Sequence, residues 1–270
     1  MANITKLSKD KGEFYQVYLD DGQKLRVSED VLVKYRLLKG KELDETTINK
    51  VKKDGVYAVG LQLAYNYLGY QLRSEWELRK FLKEKEIFGT DTDRIVEQLK
   101  QLKLLDDKIY AESYVRTMMR TSDKGPIVIR QQLKKRGVSE SIITNALTLY
   151  EEENQLAIAT HVAQKLAKKY YAKSYQESLQ KIKQNLMQKG FSNQVITLAM
   201  GSIEFEKDDE AEYQALVKFG EKIWHRNARV ELAKRKQKVK QSLYQKGFAL
   251  DSINEFIEEM LTQEGENGEE

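Results

Sequence analysis

IRQQLKKRG, residues Ile129–Gly137, recurs twice in this chain, as IKQNLMQKG (Ile182–Gly190) and as VKQSLYQKG (Val239–Gly247). The final glycines lie 53 and 57 residues apart, and a weaker copy, LRKFLKEKE (Leu78–Glu86), ends 51 residues before the first of them. Each copy starts with an apolar residue and a basic neighbour, then has a leucine four residues after the apolar one and a basic residue three further on. A repeat with a period of about 50 residues predicts stacked helical units, which usually bind other molecules rather than catalyse.

The period indicates how each unit is built. About 50 residues accommodate three helices of ordinary length with their turns, whereas two-helix repeats need only about 34. We expect the first helix to carry a small residue near its middle, the second to carry the phrase, and the third to follow the glycine. The candidate small residues are Ala64, Ala111, Ala163 and Ala215. Because a single unit cannot bury its own apolar face, the units are predicted to stack into an elongated, curved rod.

Capping signals mark the starts of the phrase helices. Ser74 is followed by Glu77, and Ser174 by Glu177, which is the capping-box spacing that satisfies free backbone N–H groups. In the second unit Gly125-Pro126 takes this place, because proline fits the first turn of a helix. The glycines that end the phrases are interpreted as helix C-caps with little functional meaning.

The beginning of the chain has a different pattern. Ile4–Leu7, Glu13–Leu19 and Lys24–Val27 read as short strands. KDKGE (Lys9–Glu13) and DDGQ (Asp20–Gln23) supply turns between them. We therefore predict a small N-terminal β-meander module.

The predicted fold class is mostly α, with tandem three-helix repeats after the β-meander module. A single proline in 270 residues favours long helices over an all-β or loop-rich fold. Gly55 is interpreted as the stop of a helix that starts at Asp44, so the first boundary is placed there. The predicted segments are a strand and helix module at 1–54, repeat 1 at 55–105, repeat 2 at 106–152, repeat 3 at 153–207, repeat 4 at 208–262, and a disordered acidic tail at 263–270.

Composition argues against an enzyme, and we expect no catalytic residues, no metal and no cofactor. The chain has no cysteine, which excludes disulfides, thiolate metal sites and a cysteine nucleophile. The two histidines, His161 and His225, are 64 residues apart in non-equivalent phrases. Neither a zinc site nor a Ser-His site is therefore expected.

Two further motifs have a structural interpretation that we prefer to a chemical one. Gly55 and Gly60 have the glycine spacing of a phosphate loop, but Leu61 stands where a lysine is required. The pair Asp106-Asp107 is interpreted as capping at the positive end of a helix rather than as an acid–base pair.

Charge and hydropathy bound the location and the partner. The N-terminus, MANITKLSKDKGE, is too polar for a signal peptide, and no apolar run approaches the roughly 20 residues that cross a membrane. We expect a soluble, cytoplasmic protein that does not contact a membrane. The net charge is +4, and the last eight residues, QEGENGEE, hold four glutamates. The rest of the chain is more basic, which fits an anionic partner.

The basic residues of the phrase flank its apolar stripe. In the first full copy, Arg130 and Arg136 lie three residues either side of Leu133, about 60° from it around the helix. One interpretation is that their stems cover the core while their charges stay in water. The other is that stacking aligns them into a basic track. Equivalent pairs occur in the other copies: Arg79 and Lys85, Lys183 and Lys189, Lys240 and Lys246.

Several phrases resemble a known bacterial family. RSEWELRKFL (Arg73–Leu82), LDDKIYAESYV (Leu105–Val115) and KGPIVIRQQLKKRGV (Lys124–Val138) are similar to the RecX regulatory proteins, and order, spacing and residue types fit between about Tyr65 and Leu147. The resemblance implies tandem three-helix repeats and no catalytic residues. The common short form has three repeats, whereas four are counted here, and Glu86 replaces the glycine expected in the first unit.

The resemblance also implies a function. Members of the family bind the RecA recombinase filament and restrain its activity in DNA recombination, repair and the SOS response, and many also contact DNA. The leading hypothesis is a monomer that lies along the filament groove and modulates RecA, by inhibition of its ATPase and strand exchange. The alternative is a helical-repeat protein whose primary target is single- or double-stranded DNA itself. A third possibility is a helical scaffold for another protein.

Two basic sets are candidates for the partner-binding surface. The denser set lies within Ile223–Gln241, where Glu231 is the single acid, and consists of Arg226, Arg229, Lys234, Arg235, Lys236, Lys238 and Lys240. This set could bind DNA phosphates or an acidic groove on a protein partner, or it could belong to a solvated surface helix without a partner. The second set consists of Arg116, Arg120, Lys124, Arg130, Lys134, Lys135 and Arg136, and Lys183 of the third phrase completes the candidates. Trp224 is expected in the core rather than stacked on a base.

Overall fold

A computed structural model describes residues 1–10, 14–203 and 207–266 of the chain. The predicted turn and strand residues Lys11–Glu13 lie outside the described residues. The chain divides into two compact units, Met1–Val115 with Arg130–Leu149, and Arg116–Ile129 with Tyr150–Glu270.

The N-terminal module is an antiparallel sheet with the strand order β3-β2-β1-β4. Its strands are Ala2–Lys9 (β1), Phe14–Leu19 (β2), Lys24–Ser28 (β3) and Glu42–Leu43 (β4), and Glu29–Tyr35 (α1) lies between the last two. The first three strands form the predicted meander. Strand β4 is not predicted from the sequence because two residues are too few to show an alternating pattern.

Helix α2, Glu45–Tyr70, runs through Gly55, so the predicted stop at this glycine is wrong. Gly55 is buried where α2 packs on β3, and a Cβ there would lie 2.5 Å from the carbonyl oxygen of Arg26. The close approach of helix and strand therefore requires the glycine. The boundary predicted between the module and repeat 1 falls inside α2, whose first half packs on the sheet through Ile48 and Val51.

Four three-helix repeats follow in the predicted order, and repeat 1 begins with the second half of α2. The remaining helices are Glu75–Glu84 (α3) and Gly89–Gln101 (α4); Asp107–Thr121 (α5), Pro126–Lys135 (α6) and Glu140–Leu147 (α7); Glu152–Tyr170 (α8), Tyr175–Gln188 (α9) and Asn193–Gly201 (α10); and Asp209–Arg226 (α11), Leu232–Gln245 (α12) and Leu250–Glu266 (α13). The small residues predicted near the middle of the first helices, Ala64, Ala111, Ala163 and Ala215, are all buried.

The apolar residue and the leucine of each phrase form the core of its repeat. All eight are completely buried, which confirms the predicted inward face: Leu78, Leu82, Ile129, Leu133, Ile182, Leu186, Val239 and Leu243. Residues four apart lie on the same side of a helix, so these pairs anchor each phrase helix to the other two helices of its repeat.

The turn after each phrase has a left-handed backbone. Gly137, Gly190 and Gly247 have φ values of 76°, 88° and 85°, which confirms them as C-cap glycines. In repeat 1, Glu86 adopts the same conformation with φ 63°. The turn is therefore kept without glycine, at a cost of about 1 kcal/mol.

The C-terminal helix is longer than predicted. Helix α13 continues to Glu266, so residues 263–266 are helical rather than part of a disordered tail. The physical reason is an ion pair between Glu264 and Arg235, described below, which holds the last turns. The rest of the predicted tail, 267–270, lies outside the described residues.

Within residues 1–10, 14–203 and 207–266 the structure has neither a membrane-crossing helix nor a metal-holding cluster. No helix there combines the length and the apolar character that a bilayer crossing demands. The same residues contain no group of three or more His, Asp or Glu side chains arranged to hold a metal ion.

Candidate partner-binding surface

The phrase helices of consecutive repeats are joined by one recurring contact, here called the joint. At each joint a donor at the start of one phrase helix hydrogen-bonds a carbonyl at the end of the next phrase: Ser74 Oγ donates to the carbonyl of Arg136 at 2.6 Å, the Gly125 N–H to that of Lys189 at 2.7 Å, and Ser174 Oγ to that of Lys246. The capping serines thus have a second role, because the same Oγ atoms accept from the N–H groups of Glu77 and Glu177.

Close backbone approach explains the glycines at the joint. A Cβ on Gly137 would lie 2.2 Å from the Cβ of Trp76, and one on Gly125 would lie 2.4 Å from the Gly190 carbonyl. No side chain fits at such distances, so these glycines set the contact between repeats as well as ending helices. The interpretation of the phrase glycines as caps alone is therefore incomplete.

Acidic residues of the following repeat complete two of the joints. Asp107 accepts from the backbone N–H of Glu75 at 2.8 Å, and Glu212 accepts from that of Tyr175 at 3.2 Å. Burial raises the pKa of Asp107 above its usual range. Asp106 accepts from the N–H groups of Lys108 and Ile109, which confirms the predicted capping role of this residue.

In three of the four repeats, the first basic residue of the phrase contacts a side chain of its own repeat. It reaches across to the third helix: Arg79 pairs with Asp93 at 2.7 Å, Arg130 with Glu140 and Thr144, and Lys240 with Asn254 at 2.9 Å. Among the described residues, Lys183 has no such partner and is exposed. These contacts favour the interpretation that the phrase cations stabilise the repeat, and they argue against a continuous basic track.

In the second and third repeats, the second basic residue of the phrase lies at a joint. Arg136 approaches Glu77 at 3.6 Å and lies 4.8 Å from the ring centre of Tyr114. Lys189 pairs with Asp123 at 2.6 Å, and this contact lowers the pKa of Asp123. These cations therefore support the joints, and Arg136, a predicted partner residue, is half-buried and engaged.

Arg235 is placed in the core, which corrects its assignment to the partner surface. Its side chain is only 7% exposed, lies 4.0 Å from the ring centre of Trp224, and donates to the Trp224 carbonyl at 3.0 Å. Glu264 accepts from Arg235 at 2.8 and 3.2 Å and from the Trp224 Nε1–H at 2.9 Å. Trp224 is completely buried, as predicted. The sequence conceals this arrangement because Glu264 lies 29 residues beyond Arg235.

The Arg235 cluster, Trp224 with Arg235 and Glu264, predicts a pH dependence of stability. Partial burial raises the pKa of Glu264, but the hydrogen bonds from Arg235 and Trp224 outweigh it and lower the pKa below its usual 4.5. A carboxyl group whose folded pKa is depressed stabilises the fold fully above the unfolded pKa and loses this effect as the pH falls through the folded value. The wild-type protein should therefore lose stability below about pH 4.5 more steeply than Glu264→Gln.

This prediction is measured by denaturant unfolding of both proteins at about pH 6 and about pH 3.5. The other carboxylates are common to both proteins, so the difference between the two pH dependences reports Glu264 alone. Identical pH dependences would contradict the prediction.

The other predicted partner residues are exposed, apart from half-buried Lys124, Arg130 and Lys236: Arg116, Arg120, Lys134, Lys135, Lys183, Arg226, Arg229, Lys234, Lys238 and Lys240. Lys234 pairs with Glu231 at 3.2 Å, both in solvent, which contributes little to stability. Arg116, Arg120 and Lys124 belong to one compact unit, and the rest of their set to the other. Their role at a common partner face stays a prediction.

Family comparison matches each repeat. The RecX first three-helix domain matches residues 61–99, the second matches 106–147, and the third matches twice, at 152–200 and 210–257. This chain belongs to the RecX family. Its similarity to Regulatory protein RecX of Enterococcus faecalis is 55% identity over 98% of this chain and 100% of the relative. Regulatory protein RecX of Levilactobacillus brevis is 43% identical over 96% and 98%.

Solved RecX structures have the same fold. A crystal structure of regulatory protein RecX, 37% identical, superposes with a TM-score of 0.63 and covers 75% of this chain and all of the solved one. RecX from Lactobacillus salivarius, 41% identical, covers 56% of this chain and 98% of the solved one with a TM-score of 0.54. The double match of the third domain accounts for the four repeats in this chain.

One exposed position of the phrase does not stand out from the pattern of basic residues. It lies four residues after the first basic residue of each phrase and is occupied by Lys83, Lys134, Met187 and Tyr244. Met187 and Tyr244 are 51% and 59% exposed, so both side chains are open to solvent at this position. At this one position the sequence itself distinguishes the last two repeats of the chain from the first two.

Proposed function

We propose that this RecX-family regulatory protein binds the RecA filament and inhibits its ATPase and strand-exchange activity through surface contact alone. The observation that supports this most is the match of nearly the whole chain to proteins named Regulatory protein RecX. Its repeats offer exposed side chains in series, and the joints link the start of one phrase helix to the end of the next phrase. No bond-making step is proposed, and the protein acts as a monomer in the cytoplasm.

The physical basis of inhibition is simultaneous contact with several protomers. A filament presents the same surface on each protomer, so consecutive repeats engage consecutive copies, and weak single contacts add to tight binding. A protein bound to two neighbouring protomers resists the relative movement of those protomers during ATP hydrolysis and strand exchange. The expected result is a RecA ATPase rate that falls as this protein is added.

The test uses purified RecA on single-stranded DNA with increasing amounts of the full chain. We expect the ATPase rate to fall and the protein to co-sediment with the filaments. An unchanged rate together with no co-sedimentation would refute the proposal.

The alternative, in which DNA is the primary target, is distinguished from the RecA proposal by DNA-binding measurements. Fluorescence anisotropy with single- and double-stranded oligonucleotides is recorded at two salt concentrations without RecA. Binding dominated by phosphate contacts weakens steeply as salt rises. Tight, salt-sensitive binding in the absence of RecA would favour the alternative, whereas we expect weak binding here and strong binding only with RecA.

A further inference from the structure

Four positions recur around each phrase and define what is here called the outer patch of a repeat; their side chains are exposed, except that Arg79 and Arg130 are half-buried. They are the first basic residue of the phrase and the residues four, ten and fourteen further on. The last two belong to the third helix, which the basic residue reaches in repeats 1, 2 and 4. The patches are Arg79, Lys83, Gly89 and Asp93; Arg130, Lys134, Glu140 and Thr144; Lys183, Met187, Asn193 and Thr197; and Lys240, Tyr244, Leu250 and Asn254.

The four patches have the same formal charge but different chemistry. Each sums to one positive charge. Repeats 1 and 2 reach it with two cations and one acid, whereas repeats 3 and 4 have a single lysine among neutral side chains. The second cation is replaced by Met187 and Tyr244, and the acid of repeat 2 by Leu250, which is 45% exposed.

This replacement changes what the surface can bind. In repeats 1 and 2 an arginine is neutralised by an acid of its own repeat, Asp93 or Glu140. Lys240 has only the neutral amide of Asn254, and Lys183 has no partner among the described residues, so both charges are available to an external acid. Methionine and tyrosine are enriched at protein–protein interfaces, where the apolar body is covered and the charge lies at the rim.

We propose that the outer patches of repeats 3 and 4 are the surface through which this protein contacts its protein partner. This inference rests on the proposed function, in which the partner is the RecA filament. Each patch receives an acidic side chain bordered by apolar groups. Nucleic acid fits less well, because phosphates favour patches with more cations and fewer apolar side chains. Asp251 is exposed next to Leu250 and weakens the positive field there, so Lys183 with Met187 is the stronger patch.

Repetition of the patch strengthens the argument for a filament. Repeats 3 and 4 lie in the same compact unit and are linked by the Ser174–Lys246 joint. The same chemistry is therefore presented twice within one unit. A partner made of identical protomers offers two identical acceptors, and the second contact then benefits from the first.

The experiment compares a double variant with a control at the same position of the phrase. Met187→Ala with Tyr244→Ala removes the apolar groups of repeats 3 and 4, and Lys83→Ala is the control at the equivalent position of repeat 1. All three side chains are exposed on phrase helices, and alanine preserves a helix. Circular dichroism and thermal unfolding establish that both variants fold as the wild type does.

Affinity for RecA filaments on single-stranded DNA is measured by co-sedimentation and by ATPase inhibition. We expect the Met187/Tyr244 variant to bind about tenfold or more weakly and the Lys83 variant within about threefold of the wild type. If the wild type does not bind, the proposed function fails and the inference with it. If the wild type binds but the Met187/Tyr244 variant binds equally well, only the inference fails. Loss of oligonucleotide binding in place of filament binding would also overturn the assignment to a protein partner.

Discussion

Replacement of Gly137 with alanine is expected to lower the free energy of unfolding by about 3 kcal/mol. The left-handed φ of 76° at Gly137 costs a side chain about 1 kcal/mol. The new Cβ would also meet the Cβ of Trp76 at 2.2 Å, and the backbone shift that relieves this contact costs about 1–3 kcal/mol. The same shift loosens the hydrogen bond from Ser74 to the Arg136 carbonyl.

The matched control is Gly201→Ala. Gly201 is exposed at the end of α10, has no atom within 4 Å of an added Cβ, and does not need a positive φ. Alanine there should leave stability unchanged or raise it by up to about 1 kcal/mol. Denaturant unfolding followed by circular dichroism measures both variants. Equal stabilities of the two variants would show that the joint does not require glycine.

Replacement of Arg235 with methionine is expected to cost about 2–3 kcal/mol. Removal of one partner of a buried ion pair typically costs 3–5 kcal/mol, about 4 on average, because the other charge is stranded. The smaller value applies here because the Glu264 side chain is 45% exposed and can be rehydrated. The carbonyl of Trp224 also loses the donor that Arg235 supplies.

Lys238→Met on the same helix is the control, because Lys238 is exposed and its loss should change stability by less than about 0.5 kcal/mol. Denaturant unfolding gives the stabilities, and tryptophan fluorescence reports whether buried Trp224 becomes hydrated. If Arg235→Met is as stable as Lys238→Met, the Arg235 cluster does not hold α13.

Much of the fold was predictable because it depends on local pattern. The pairs of apolar residues four apart, such as Ile129 and Leu133, predicted both the helix and its inward face, and both residues are completely buried. The predicted helix ends are wrong where a contact with a residue distant in the sequence determines the end of the helix. Gly55 is predicted to stop a helix, but it lies inside α2, where the close approach of the Arg26 carbonyl of β3 requires a glycine. Helix α13 extends past its predicted end because Arg235 holds Glu264.

The candidate site was harder to predict because charge alone does not reveal accessibility. Arg130 and Lys134 look equivalent in the sequence, yet Arg130 is paired with Glu140 while Lys134 is exposed. Arg235 lies in the densest basic run but is buried on Trp224. Only the position of each side chain around its helix, and its partner on another helix, separates a structural cation from an available one.

The joint has a consequence for how such chains change in length. Its acceptor is always a main-chain carbonyl at the end of a phrase, and its donor is either a serine hydroxyl or a backbone N–H at the start of the previous one. Since the acceptor does not depend on side-chain identity, a duplicated repeat can dock on its parent without inventing a new interface. Gene duplication could then add a module in one step, in keeping with two tandem segments that both match a single family domain.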